Sequence, residues 1–109
     1  MMKLQIKSVV SMTVLLLVLS PGTVLAADGA ELYKTKTCFT CHGKDGKSPI
    51  MPSYPKIAGQ SKEYTLQQMI DIKSGARSNA QSAAMKGIMH LVSDEEMQAL
   101  AEYIATMAP

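Results

Sequence analysis

The chain has 109 residues, eleven Lys or Arg against nine Asp or Glu, and 47% apolar residues. That length suits one small domain, and near-balanced charge with no polybasic run argues against a nucleic-acid or anionic-lipid surface. With no Trp, a single Phe and two Cys, the polypeptide alone has little from which to build a core.

Residues 1–26 read as a secretory signal peptide. Lys3 and Lys7 form a positive start, Val9 to Leu19 an apolar stretch, and Pro21-Gly22 a break, and Val24-Leu25-Ala26 suits a signal peptidase. Cleavage after Ala26 is expected. The apolar run is too short to cross a hydrocarbon core of about 30 Å, although an anchored form stays open if residues 9–27 span despite Pro21 and Gly22. The expected mature domain is 27–109, exported to the periplasm and without stable membrane insertion. It carries nine basic and nine acidic residues.

Asp28 can cap a short helix over about 29–37, with Leu32 and Tyr33 as its apolar contacts. The stretch 43–60 holds Gly43, Gly46, Gly59, Pro49, Pro52 and Pro55 and reads as an irregular loop. Ser61 caps a second helix, with Glu63 in its first turn, Leu66, Met69, Ile70 and Ile72 at helical spacing, and Gly75 as its stop. Residues 76–84 are small and polar and read as a loop or a weak helical turn. Ser93 and Glu96 make a capping box for the last helix, whose apolar face is Met97, Leu100, Ala101, Ile104 and Met107. No segment alternates with period two. The expected fold is all-α, with three main helices and irregular loops.

Cys38-x-x-Cys41-His42 carries the chemistry, since two thiols can add to haem vinyl groups beside an imidazole placed to bind the iron. A thioredoxin-type dithiol would need a βαβ context, and a zinc site would need further ligands where only His90 remains. One motif means one haem c, held through Cys38 and Cys41. No nucleophile-base spacing and no phosphate loop suggests an enzyme.

Cys38-Phe39-Thr40-Cys41-His42-Gly43, Pro55-Lys56-Ile57-Ala58-Gly59-Gln60, Tyr64 with Gln67 or Gln68, Gly75-Ala76-Arg77, Met85, and Ser93-Asp94 leading to Ala101-Glu102-Tyr103-Ile104 follow one another along the chain. In this the sequence resembles the small monohaem class I c-type cytochromes of bacteria, and is most similar to the half-domains of two-domain dihaem cytochromes c. The resemblance implies a cytochrome c fold wrapped around a covalently bound haem with one exposed edge. It also implies Pro55 as acceptor of the His42 ring proton, and a crossing of the last helix, through Leu100 and Tyr103, over Gly29 and Leu32. Gly43 and Gly59 offer close approach of backbone to the macrocycle, or ordinary turns.

The sixth iron ligand is a choice among methionines. Met97, Met107 and Met69 sit on apolar helix faces, where packing explains them, which leaves Met51, Met85 and Met89. The resemblance favours Met85, in the loop side of the chain before the last helix, with Met89 one turn on. Met51 reads as a haem-wall residue, and His90 would give bis-histidine ligation at lower potential. Arg77, Tyr64 and Gln60 are candidates for the haem propionates. The functional reading is a periplasmic electron carrier between a quinol-oxidising complex and a terminal oxidase or reductase. The alternative is the haem subunit of a multi-subunit dehydrogenase, such as a flavocytochrome of sulfur oxidation. A five-coordinate gas sensor or peroxidase would need Met85 and His90 away from iron.

Overall fold

The computed structural model describes Met2 and residues 27–109, so the rest of the signal segment lies outside the described residues. Five helices follow one another: α1 (Gly29–Thr35), α2 (Cys38–His42), α3 (Lys62–Ser74), α4 (Ser82–Met89) and α5 (Asp94–Thr106), with no strand among the described residues. None of them is long and apolar enough to cross a membrane.

Each of the three expected helices begins on the cap read from sequence. The Asp28 carboxylate accepts from the amides of Ala30 and Glu31, and the Ser61 hydroxyl from that of Tyr64. At α5 the Ser93 hydroxyl accepts from Glu96 N at 3.2 Å while the Glu96 carboxylate accepts from Ser93 N at 3.0 Å, closing the capping box. That amide, with smaller help from the Ser93 hydroxyl and Lys36, holds the Glu96 carboxyl below its ordinary range. Gly75 ends α3 in the left-handed conformation, with φ of 88°.

The scaffold is α5 laid against both α1 and α3. Gly29 is where α1 meets α5 most closely: a Cβ added there would lie 2.3 Å from Ala99 O and 2.6 Å from Tyr103 Cβ. One turn further on, the rings of Tyr33 and Tyr103 are tilted against each other with centroids 5.6 Å apart. The core comprises Tyr33, Met69, Ile72, Met89, Val92, Met97, Leu100, Ala101 and Ile104, with Leu32, Leu66 and Met107 packed at its margin.

Three expectations need correction. The first helix stops at Thr35 instead of running to 37, because Thr37 adopts φ of 62°, a left-handed conformation that a helix cannot pass through, and the chain restarts as α2. Ile70 is 39% exposed: Thr65, Met69 and Ile72 share the inward face of α3, and Ile70 is turned more than a third of the way round it. Residues 76–84 were expected to form a loop or a weak helical turn, but from Ser82 the chain is already in a full helix, which runs on to Met89. Met85, Ile88, Met89 and Val92 have the i, i+3, i+4, i+7 spacing that explains it.

Candidate functional site

Thr37 turns the chain so that α2 lies across the end of α1 and brings its Cys-x-x-Cys-His residues to one wall of a cleft. Cys38 and Cys41 are free thiols, each half-buried, and His42 is buried. Before haem is attached, burial pushes the Cys38 thiol up to about 11. The Tyr33 hydroxyl donates to Gly43 O at 2.6 Å, tying the end of α2 back to α1. Burial foremost pushes that phenol up to about 12.

The loop after α2 is pinned in three places. Ile50 N donates to Cys41 O at 3.0 Å, and Gly46 O accepts from Ile57 N at 2.7 Å and Ala58 N at 3.1 Å. The Asp45 carboxylate takes the Lys47 amide and the Ser48 hydroxyl, which hold it below the ordinary carboxylate range. These ties fix Pro55, whose carbonyl lies 3.0 Å from His42 Nδ1. A carbonyl can only accept, so Nδ1 carries the proton and Nε2 keeps its lone pair. Gly43 and Gly59 do other work than approaching the cleft. A Cβ on Gly43 would lie 2.5 Å from Ser48 O, and one on Gly59 3.0 Å from Pro109 Cβ, so both serve the path of the loop.

Opposite α2, the cleft is walled by Met69 and Ile72 of α3, Met85, Ile88 and Met89 of α4, and Leu100 and Ile104 of α5, with Ile57 from the loop. Its atom-free space, open mouth included, is about 1410 Å³. The only charged residues lining it are Lys56 and Arg77, with no carboxylate. Arg77 Nη1 donates to Gln68 Oε1 at 3.0 Å, and Arg77 N caps α3 through Asp71 O. Tyr64 and Gln60, both exposed, stand at the rim, and the buried Thr65 lines the interior.

Of the residues singled out from sequence, Cys38, Cys41, His42, Pro55, Tyr64, Arg77 and Met85 all line this cleft, as do Gln60 and Met89. Two others do not. His90 is exposed at the C-terminal end of α4, outside the lining, and Met51 is 42% exposed on the loop surface, so it is no wall residue. Met85 lies within α4 and not in a loop. Thr65, Gln68 and Ile57 were not legible as a set, since they converge only once α3 folds over the loop.

The cleft suits a haem on three counts. Two thiols and an imidazole with a free Nε2 stand on one wall, apolar side chains and a thioether on the other, and two cations without a carboxylate match the pair of propionates. Among the described residues no cluster of three His, Cys, Asp or Glu offers a competing metal site.

The cytochrome c family profile matches residues 26–108. The chain is 42% identical over 73 residues to cytochrome c4 of Pseudomonas aeruginosa, covering 67% of this chain and 34% of that one. It is 33% identical over 86 residues to cytochrome c-553 of Nitratidesulfovibrio vulgaris, covering 79% and 82%. It is 37% identical over 89 residues to a thiosulfate dehydrogenase electron acceptor of Stutzerimonas stutzeri, covering 75% and 40%. The chain spans less than half the length of the cytochrome c4 relatives it matches. It belongs to the cytochrome c family, and Cys38 and Cys41 are the pair through which that family's covalent haem c is held.

Proposed function

We propose that this protein is a periplasmic one-electron carrier whose haem iron is held axially by His42 and Met85, with residues 1–26 removed on export. The observation that carries the reading is the cleft itself, whose lining brings Cys38, Cys41 and His42 together with the Met85 thioether. When bound, the haem supplies a one-electron Fe(III)/Fe(II) couple. The chain's residues set its conditions. Pro55 O takes the Nδ1 proton of His42 at 3.0 Å, which fixes the ring's tautomer and raises the basicity of Nε2. A thioether from Met85 favours the reduced iron over a second imidazole, and the exclusion of His90 from the cleft lining supports that choice. The walls from α3, α4 and α5 keep water from the centre, while Lys56 and Arg77 stand where propionates need balancing charge.

If His42 and Met85 both held the iron, no position would be open to a substrate, which favours a carrier over a gas sensor or peroxidase. Exposed Lys44, Lys47 and Lys56 beside the attachment helix suit transient docking of an acidic partner surface, a quinol-oxidising complex on one side and a terminal oxidase or reductase on the other. A second reading, the electron-accepting haem subunit of a sulfur-compound dehydrogenase, is favoured by the relative named a thiosulfate dehydrogenase electron acceptor.

The test is exported holoprotein, read by mass and by spectrum. The mass should equal residues 27–109 plus one haem, and the oxidised spectrum should show a sulfur-to-iron band at its red edge. Met85→Ala should abolish that band and lower the potential; an unchanged spectrum would remove Met85 from the iron. Salt-sensitive electron exchange by a monomer supports the carrier, and a flavoprotein that copurifies stably supports the subunit.

A further inference from the structure

The helix that carries Met85 is the least supported of the longer helices. It has eight residues, no side chain caps its N-terminus at Gln81, and among the helices it packs on α3 alone. An isolated helix that short is not stable in water. Its C-terminal end is treated differently. The chain leaves α4 through a tight turn in which Leu91 N donates to Ile88 O and Val92 N to Met89 O. The two carbonyls of that turn, Leu91 O and Val92 O, are each taken by an ammonium from a different helix. Lys36, at the end of α1, donates to Leu91 O at 2.8 Å and lies 3.5 Å from Glu96. Lys73, in the last turn of α3, donates to Val92 O. Two cations therefore stand at the negative end of the α4 dipole and bond the carbonyls just beyond it.

We propose that Lys36 and Lys73 are positioning residues that clamp the α4–α5 turn and thereby hold Met85 against the iron. The inference rests on the reading of Met85 as axial ligand. The geometry explains why two lysines, 37 positions apart in sequence, bond adjacent carbonyls. One reaches from the side of the fold that bears α2 and the other from the side that bears α4, so the turn is fixed relative to both walls of the cleft. Movement of the C-terminal end of α4 away from α2 strains these bonds, which tie the turn beyond that end to α1 and α3. A hydrogen bond from a charged donor is worth about a tenfold factor in an equilibrium constant, so loss of both should raise the population of the ligand-detached form by at least about that much.

Imidazole is the probe, since it binds ferric iron only when the methionine leaves. The ferric holoprotein is titrated at pH 7 and followed in the Soret region and at the red-edge sulfur band. Lys36→Met with Lys73→Met keeps the apolar stems and removes both ammoniums; imidazole should bind at least about tenfold more tightly than to the wild type. Lys36→Met alone, a change at the surface, should give a several-fold effect and carries the test if the double variant does not mature. Lys36→Arg with Lys73→Arg should restore affinity to near wild type. Lys62→Met is the control, because it removes a lysine that joins α3 to α5 through Glu102 without touching the turn; it should leave affinity unchanged. A loss of stability alone would move all the Met variants together. If Met85→Ala binds imidazole far more tightly than wild type while the double lysine variant does not, the clamp is overturned and the ligand reading stands. If Met85→Ala itself changes neither affinity nor band, the ligand reading fails and the inference fails with it.

Discussion

Gly29→Ala adds one methyl group at the crossing of α1 and α5, and the structure fixes the sign of its effect. The new Cβ would sit 2.3 Å from Ala99 O and 2.6 Å from Tyr103 Cβ, where ordinary contact begins at 3.4 Å. Both neighbours are rigidly tied to the backbone of α5, so the helices must part by about 1 Å. A gap of that size forfeits up to about half of the dispersion energy of the pairs it separates, here Leu32 and Tyr33 against Leu100 and Tyr103. Overpacking of this kind costs about 1–3 kcal/mol. Ala is the better helix former by up to about 1 kcal/mol, but Gly29 is the first residue of α1, where that gain is smallest. The net loss should be about 1–2 kcal/mol, or a fall in Tm of roughly 5–15 °C. Gly87→Ala is the matched comparison: nothing lies within 4 Å of its added Cβ, so the helix term acts alone and Tm should rise slightly. Thermal melts of the holoproteins by circular dichroism check both. A Gly29→Ala protein as stable as wild type, or one that moves with Gly87→Ala, would refute the crossing as the close contact.

Tyr33→Phe removes the 2.6 Å bond to Gly43 O while keeping the buried ring, and should cost about 1 kcal/mol in urea unfolding. Ser93→Ala breaks the capping box of α5 and should cost about 1 kcal/mol by the same assay. The Glu96 carboxyl is held below its ordinary value of 4.5, foremost by the Ser93 amide. Its contribution is therefore complete above that value and lost as pH falls through the lower folded one. Glu96→Gln should melt below wild type at pH 7, with the difference shrinking as the pH is taken below 4.5; a constant difference would show that the charge plays no part.

Legibility in the sequence followed how local the physics is. Caps and stops at Asp28, Ser61, Gly75 and Ser93 are set by groups within three residues, and all four appear in the structure. The Pro55 carbonyl was indicated by the family resemblance alone, and the structure places it 3.0 Å from His42 Nδ1. What escaped was non-local or conditional. Helix α4 has the right spacing from Met85 to Val92, but the small and polar residues before it masked the pattern, and its contacts are distant ones, with α3 along its side and two lysines on the turn beyond it. Thr37 looked like a helical residue because nothing in its neighbours announces a positive φ. The lysine bonds to Leu91 and Val92 join positions 55 and 19 residues apart, beyond any local pattern.

The packing scheme also accounts for the composition. Helix α2 packs on α1, α4 packs on α3, and those two supports meet only through α5. The two walls of the cleft therefore have no helix-to-helix contact with each other, and the protein's apolar side chains face a space that other side chains do not fill. A domain of this size without Trp and with one Phe can leave such a space only if something large and apolar occupies it. Covalent attachment at α2 would hold that group to one wall, and under the proposed ligation the Met85 thioether on α4 would reach it from the other. The same contact that would set the redox couple would close the fold, so a change that frees Met85 should loosen α4 as well as alter the potential.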